Sequence, residues 1–216
     1  MKGILLAGGR GSRLAPMTNV VSKQLLPVYD KPMIYYPLVT LMQANIRDVL
    51  LIATPEHLSG YQQLLGTGKQ WGIQLHYAEQ PSPDGLPQAV KIGANFIDQA
   101  SVMLLLGDNI FFGNRFENRL AQVAQASSGA TVFSTPHSQP SNYGVVELGP
   151  SQKIVSLEEK PLQPKSNQVI TGAYIFDSRV VEFAKTLRPS VRGETEMIDL
   201  LRCYQKQGEL HVESLE

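Results

Sequence analysis

The chain has 216 residues, enough for one full domain and short for two. Hydrophobic residues are 43% and charged residues 18%, a globular composition. The 19 basic residues balance 19 acidic ones, which excludes a general polyanion binder but leaves room for one small basic pocket. The single cysteine, Cys203, excludes an internal disulfide and a cysteine-rich zinc site, and the four histidines (His57, His76, His137, His211) show no ligand spacing. No apolar run approaches the ~18 residues of a membrane span. The N-terminus turns to glycine after three large apolar residues, unlike a signal peptide. The expectation is a soluble cytoplasmic protein whose partners include neither nucleic acid nor membrane.

Gly3 to Ala7 is a continuous apolar run closed by glycine, as in a central strand of a parallel sheet. Ile34, Leu38, Leu41 and Met42 stand at i, i+4, i+7 and i+8, a helical stripe. Val49 to Ala53 is a second buried strand. Leu86 to Ile97 is a helix candidate with Pro87 in its first turn. Val102 to Leu106 is a third strand, and Phe116, Leu120, Val123 and Ala124 repeat the helical spacing. This alternation predicts an α/β fold with a doubly wound, mainly parallel sheet. After about Thr135 the pattern changes. Tyr143 to Leu148 and Ile154 to Leu157 read as strands joined by a turn at Gly149-Pro150, and Gln168 to Phe176 as another strand. Val180, Phe183, Ala184 and Leu187 mark one helix; Met197, Leu200, Leu201 and Tyr204 mark a second. The later part reads as a smaller, β-rich subdomain or lid. No linker divides the chain, so 1–216 is one domain with halves at about 1–135 and 136–216.

The densest segment is Leu6-Ala-Gly-Gly-Arg-Gly-Ser-Arg-Leu14, a glycine-rich turn directly after the first strand. Glycines let backbone N–H groups turn inward and meet a phosphate closely, although a plain tight turn uses the same residues. No Gly-Lys-Ser/Thr follows, so this is not a P-loop. Leu14 stands where a dinucleotide fingerprint needs its third glycine. Arg13 in the loop and Lys23 in Ser22-Lys-Gln-Leu-Leu-Pro27 could neutralise a triphosphate, or could be solvated surface charges.

These residues carry a resemblance. Gly8-Gly9-x-Gly11-Ser12-Arg13-Leu14, followed by Lys23 and Pro27, is similar to the signature of the sugar-phosphate nucleotidyltransferases. Gln80-Pro-Ser-Pro-Asp-Gly-Leu86, Leu106-Gly-Asp-Asn109, Tyr143-Gly-Val-Val-Glu147 and Ser156-Leu-Glu-Glu-Lys-Pro161 follow in order. Within that family the chain resembles the bacterial thymidylyltransferases that act on glucose 1-phosphate, from Lys2 to about Glu213. The resemblance implies a Rossmann-like core with a nucleotide half and a sugar-binding half. It also implies joining dTTP to α-D-glucose 1-phosphate, giving dTDP-glucose and pyrophosphate. That is the first step of dTDP-L-rhamnose synthesis, carried out by homotetramers with Mg²⁺ as cofactor. Alternatives are a UTP-dependent uridylyltransferase and a nucleotide-binding module without turnover.

No protein nucleophile is needed, because the attacking sugar-phosphate oxygen already carries charge; positioning and neutralisation remain. The resemblance assigns Arg13 and Lys23 to the triphosphate, beside Gly8, Gly9, Gly11 and Ser12. Asp108 takes Mg²⁺. Its place after an apolar strand independently points it at the crevice where open α/β sheets bind ligands. Gln80 and Gly85 would read the base, with Leu6 and Gln24 completing the pocket. Lys160 would grip the sugar phosphate and Glu159 the sugar hydroxyls. Leu86, Gly144, Gly172, Tyr174 and Arg192 match further sugar-side positions. Gly144 and Gly172 interrupt strands, which marks a close ligand approach or a bulge. The family's second magnesium-binding aspartate lies beyond the last residue, Glu216, so the chain is expected to be a C-terminally truncated member with one metal carboxylate.

Overall fold

The computed structural model describes residues 1–9, 11–123 and 128–215. In chain order the strands and helices are β1 (Lys2–Ala7), β2 (Pro27–Val28), β3 (Lys31–Pro32), α1 (Tyr35–Gln43), β4 (Asp48–Ala53), α2 (Pro55–Leu65), β5 (Gln74–Glu79), α3 (Gln88–Ile92), α4 (Ala94–Ile97) and β6 (Val102–Leu106). There follow α5 (Asn114–Val123), β7 (Ala130–Pro136), β8 (Gly144–Leu148), β9 (Ile154–Glu159), β10 (Gln168–Phe176), α6 (Val180–Thr186), α7 (Met197–Lys206) and β11 (Leu210–Ser214).

The main sheet runs in the order β11-β7-β10-β6-β1-β4-β5. β6, β1, β4 and β5 are parallel neighbours, as the unbroken apolar runs of the first three predict. β10 lies antiparallel between β6 and β7, and β11 pairs in parallel with β7. The β8–β9 hairpin hangs from β10 through the Val169–Val145 pair. The strand order reverses at β1: α1 carries the chain to β4 on one side, and α3 with α4 brings it back to β6 on the other. The C-terminal ends of β1 and β6 meet there, where doubly wound sheets bind ligands.

Alternation along each buried strand feeds two apolar layers. Ile4, Leu6, Ile52 and Leu104 face a core closed by α3, α6 and α7. Leu5, Leu51, Met103 and Leu105 face one closed by α1, α2 and α5. The later half of the chain is woven into both, since β10 enters the sheet and Leu200, Leu201 and Tyr204 share a core with Ile4. The β8–β9 hairpin is the part paired outside the main strand order.

Some elements differ from the sequence-based expectation. The helix expected over Leu86 to Ile97 is two short helices, with Pro87 just before the first and a break at Gly93. A Cβ at Gly93 would come within 2.7 Å of Ile4 Cδ1, so the residue that weakens the helix also lets it lie close to β1. Phe116, Leu120 and Val123 are buried on α5 as the stripe predicts; Ala124 lies outside the described residues. Tyr143 precedes β8, and β9 runs on to Glu159. The sequence reading passes over β5, whose edge position leaves it mixed in polarity, and over β7. Among the described residues, no helix is long and apolar enough to cross a membrane.

Candidate active site

At the switch point a cleft of about 540 Å³ opens between the two halves of the chain. Its first wall is built from strand ends. The turn after β1 presents Gly8 and Gly9, and Gly9 adopts φ 97°, a conformation that favours glycine. Gly11, at φ 59°, is pinned by Thr18 Oγ1, which donates to its carbonyl oxygen at 2.9 Å. At the end of β6, Asp108 Oδ2 accepts a hydrogen bond from Lys23 Nζ at 2.9 Å, and Oδ1 accepts one from Asn109 Nδ2 at 3.0 Å. Both members of the ion pair keep about a third of their side-chain surface in solvent (31% and 32%), so the carboxylate remains open to a ligand. Asn109 Oδ1 accepts the Gly172 N–H at 3.0 Å. A Cβ at Gly172 would come within 2.7 Å of Asn109 Cγ, so this strand glycine serves packing against Asn109. The β7–β10 register shifts between Ile170 and Tyr174, around that same point.

Of the four residues expected to read a base, Leu6, Gln80 and Gly85 line the cleft, next to Leu86 from the expected sugar side. Gln80, just past the end of β5, is buried, and its backbone N–H donates to the carbonyl oxygen of Ala53, the last residue of β4, at 2.8 Å. Gly85 has φ 106°, and any Cβ there would collide with the Thr195 carbonyl oxygen. Thr195 in turn donates from both its backbone N–H and Oγ1 to Asp84 O at 2.9 Å. This turn therefore bolts the two halves together.

The opposite wall carries charge. Arg192 NH2 donates to Glu196 Oε2 at 2.6 Å and reaches Glu159 Oε1 at 3.4 Å, and Lys160 Nζ lies 4.0 Å from the same Glu159 oxygen. Ser190 Oγ donates to Glu196 Oε1 at 2.6 Å. Burial pushes the Glu159 carboxyl above the ordinary glutamate value. The neighbouring Glu196 charge adds to the rise, and Lys160 and Arg192 offset only part of it. Glu196 goes the other way: burial raises it, but hydrogen bonds from Arg192 and Ser190 outweigh that and hold it low. Burial, with the Glu159 charge behind it, raises the Tyr174 hydroxyl well above its usual value, so it stays protonated. Gly144 lies against Ile198, with its Cβ position 3.5 Å from Glu159 Oε2.

The structure gathers most of the expected residues on the cleft: Leu6, Gly8, Gly9, Gln80, Gly85, Leu86, Asp108, Gly144, Glu159, Lys160, Gly172, Tyr174 and Arg192. Others stand outside its lining. Gly11, Ser12 and Arg13 lie along the loop's outer side, with Ser12 and Arg13 exposed on a 3-10 turn. Lys23 reaches the site through Asp108. Gln24 is buried beneath the loop, with Nε2 donating to Gly8 O at 3.4 Å and Oε1 accepting from Ser22 Oγ at 2.8 Å and Tyr61 OH at 3.4 Å. It supports the loop from below, and burial pushes the Tyr61 hydroxyl up to about 12, with the Ser22 hydrogen bond lowering it only in part. Sequence reasoning assigned no role to Asn109, Thr195 or Glu196. Asn109 had a signal, since it closes the Leu106-Gly-Asp-Asn motif; Glu196 had none. Among the described residues, no three His, Cys, Asp or Glu side chains cluster as a metal site, so a metal here would share Asp108 with a ligand's own oxygens.

The sequence pattern of the nucleotidyl transferase family matches residues 2–216. The chain is 56% identical over 215 residues to a glucose-1-phosphate thymidylyltransferase of Neisseria gonorrhoeae, covering 100% of this chain and 75% of that protein. It is 52% identical over 215 residues to one of Mycobacterium tuberculosis, covering 100% of this chain and 74% of that one. Among solved structures, a Bacillus anthracis protein provisionally named glucose-1-phosphate thymidylyltransferase, in complex with a sucrose, superposes with TM-score 0.92 at 38% identity. That superposition covers 100% of this chain and 87% of that one. The chain belongs to the nucleotidyl transferase family and groups within it with the glucose-1-phosphate thymidylyltransferases.

Proposed function

We propose that the chain transfers a thymidylyl group from dTTP to α-D-glucose 1-phosphate, releasing pyrophosphate and forming dTDP-glucose. The observation that carries this reading is the half-buried Lys23–Asp108 pair at the glycine loop, facing the Glu159–Lys160–Arg192–Glu196 cluster across one cleft. A displacement on phosphorus needs its two substrates held in line and their negative charge balanced. Lys23 offers a cation beside the loop's backbone N–H groups, on the side where the triphosphate would lie. Arg13, exposed on the adjoining turn, supplies a planar fork suited to several phosphate oxygens. On the other wall, Lys160 supplies a charge for the sugar's phosphate, and Glu159 an acceptor for sugar hydroxyls.

The residues fit Mg²⁺. Asp108 offers hard oxygen atoms at a strand end with solvent access, and this ion commonly takes one or two carboxylates with the rest of its shell from phosphates and water. Asp108 would hold it, and when bound it would offset charge developing on the leaving pyrophosphate. The test follows pyrophosphate release with dTTP and glucose 1-phosphate, with and without magnesium, against UTP in place of dTTP. Release that requires both substrates and magnesium supports the reading. Release with UTP at a clearly higher kcat/KM than with dTTP makes the protein a uridylyltransferase, and binding without release makes it a nucleotide-binding module.

A further inference from the structure

The base side of the cleft carries an amide whose orientation is set from behind. Gln80 Nε2 donates to Gln88 Oε1 at 2.7 Å. Gln88 is itself held by two groups with no choice of role. The backbone N–H of Asp84, which can only donate, meets Gln88 Oε1 at 3.2 Å, and the Asp84 carboxylate accepts from Gln88 Nε2 at 3.0 Å. Ser82 Oγ donates to the same Asp84 Oδ2 at 2.7 Å. A free side-chain amide can turn over and exchange its donor and acceptor ends. Here Asp84 sets Gln88, and Gln88 sets Gln80. At its other end the Gln80 carbonyl oxygen lies against Gly8, in the space a Cβ would occupy.

Thymine and uracil place an acceptor at O4 beside a donor at N3. Cytosine places a donor at N4 beside an acceptor at N3. One amide orientation matches the first pair, and the reversed orientation matches the second. We propose that Gln88 is a specificity-determining positioning residue: by holding the Gln80 carboxamide in one orientation, it makes the site accept 4-oxo pyrimidine nucleotides and reject 4-amino ones. The proposal rests on the reading above that Gln80 meets the base of the nucleoside triphosphate. Apolar packing cannot do this work, because cytosine is no larger than thymine, and adding or removing one methyl changes selectivity by only ~10–200-fold. A mismatched polar edge leaves buried groups unpaired and discriminates far more strongly.

The test is equilibrium titration of dTTP and of dCTP into the wild-type chain and the variants Gln88→Ala, Gln88→Leu and Gln88→Glu. Wild type should prefer dTTP by at least about 100-fold. Gln88→Ala frees the amide to turn. It should weaken dTTP by no more than about threefold and tighten dCTP by about tenfold or more. Gln88→Leu repeats the test with the bulk retained, should the smaller side chain disturb the turn. Gln88→Glu keeps an acceptor facing Gln80 Nε2, so it should keep the dTTP preference even though it sets a second carboxylate beside Asp84. A purely structural role gives the reverse order, with Gln88→Glu the most disturbed and both nucleotides weakened alike. A preference that survives in Gln88→Ala and Gln88→Leu overturns the proposal alone. A wild type that does not favour dTTP over dCTP overturns the base reading of Gln80, and the proposal with it.

Discussion

On one wall of the cleft, Asp108, Asn109 and Gln80 join the backbone of a glycine turn, with Lys23 paired to Asp108 from outside the lining. On the other, Glu159, Lys160, Arg192 and Glu196 crowd together, with Arg192 bonded to both carboxylates. The first wall has cation to spare, since Arg13 stands exposed on the adjoining turn. The second sets Lys160 and Arg192 against Glu159 and Glu196, with Glu194 also on the lining, and carries one carboxylate, Glu159, at a raised pKa. A wall with unspent positive charge suits a polyphosphate. A wall of mutually held acids and bases suits hydroxyls and one phosphate, where geometry counts for more than net charge.

Four changes would break or sharpen that contrast. The largest effect is expected on the first wall. Asp108→Asn should lower kcat for pyrophosphate release at least about 100-fold, since one preorganised electrostatic contact contributes roughly 3 kcal/mol to the transition state. An unaltered circular dichroism spectrum would show that the fold persists, and near-wild-type turnover would remove Asp108 from the chemistry. Next comes the joint between the walls. Gly85→Ala places a Cβ against the Thr195 carbonyl at φ 106° and should cost about 2–3 kcal/mol of stability, read from the denaturant midpoint.

On the second wall, Lys160→Ala should weaken glucose 1-phosphate by about tenfold, near the lower end of the ~1.5–3 kcal/mol for a charged hydrogen bond, because the side chain is 46% exposed. Its effect on dTTP should be smaller, and calorimetry showing equal losses would move Lys160 away from the sugar side. The smallest effect is on stability against pH. The folded Glu159 pKa lies above its unfolded value, so its contribution is complete below the ordinary glutamate pKa and fades as pH rises through the folded one. Glu159→Gln removes that loss. Its melting temperature should exceed wild type at neutral pH and converge with it on acidification. A gap that widens on acidification would mean the carboxylate is net stabilised in the fold.

The difference between the walls also explains what could be read in advance. The loop wall rests on local motifs: Gly8, Gly9, Gly11, Ser12, Arg13 and Lys23 stand close together in the sequence, and Asp108, 85 residues after Lys23, ends an apolar strand in a short motif of its own. The second wall draws Glu159, Tyr174, Arg192 and Glu196 from different strands and loops, and its decisive member, Glu196, sits in no pattern.

Buried strands in β1, β4 and β6 follow from runs that only a doubly covered parallel sheet can bury, so the sequence alone settles the centre of the core and puts the glycine-rich turn at its first strand end. Pairing over long separations was left to the tertiary structure. β10 lies antiparallel between β6 and β7, because nothing local in an apolar run encodes its direction or its neighbour. The role of a polar side chain depends likewise on what folds over it. Gln24 and Gln80 carry the same amide. One is buried under the loop by Ser22 and Tyr61, and the other is turned toward the cleft by Gln88, because hydrogen-bond partners are assigned only when the chain has closed around them.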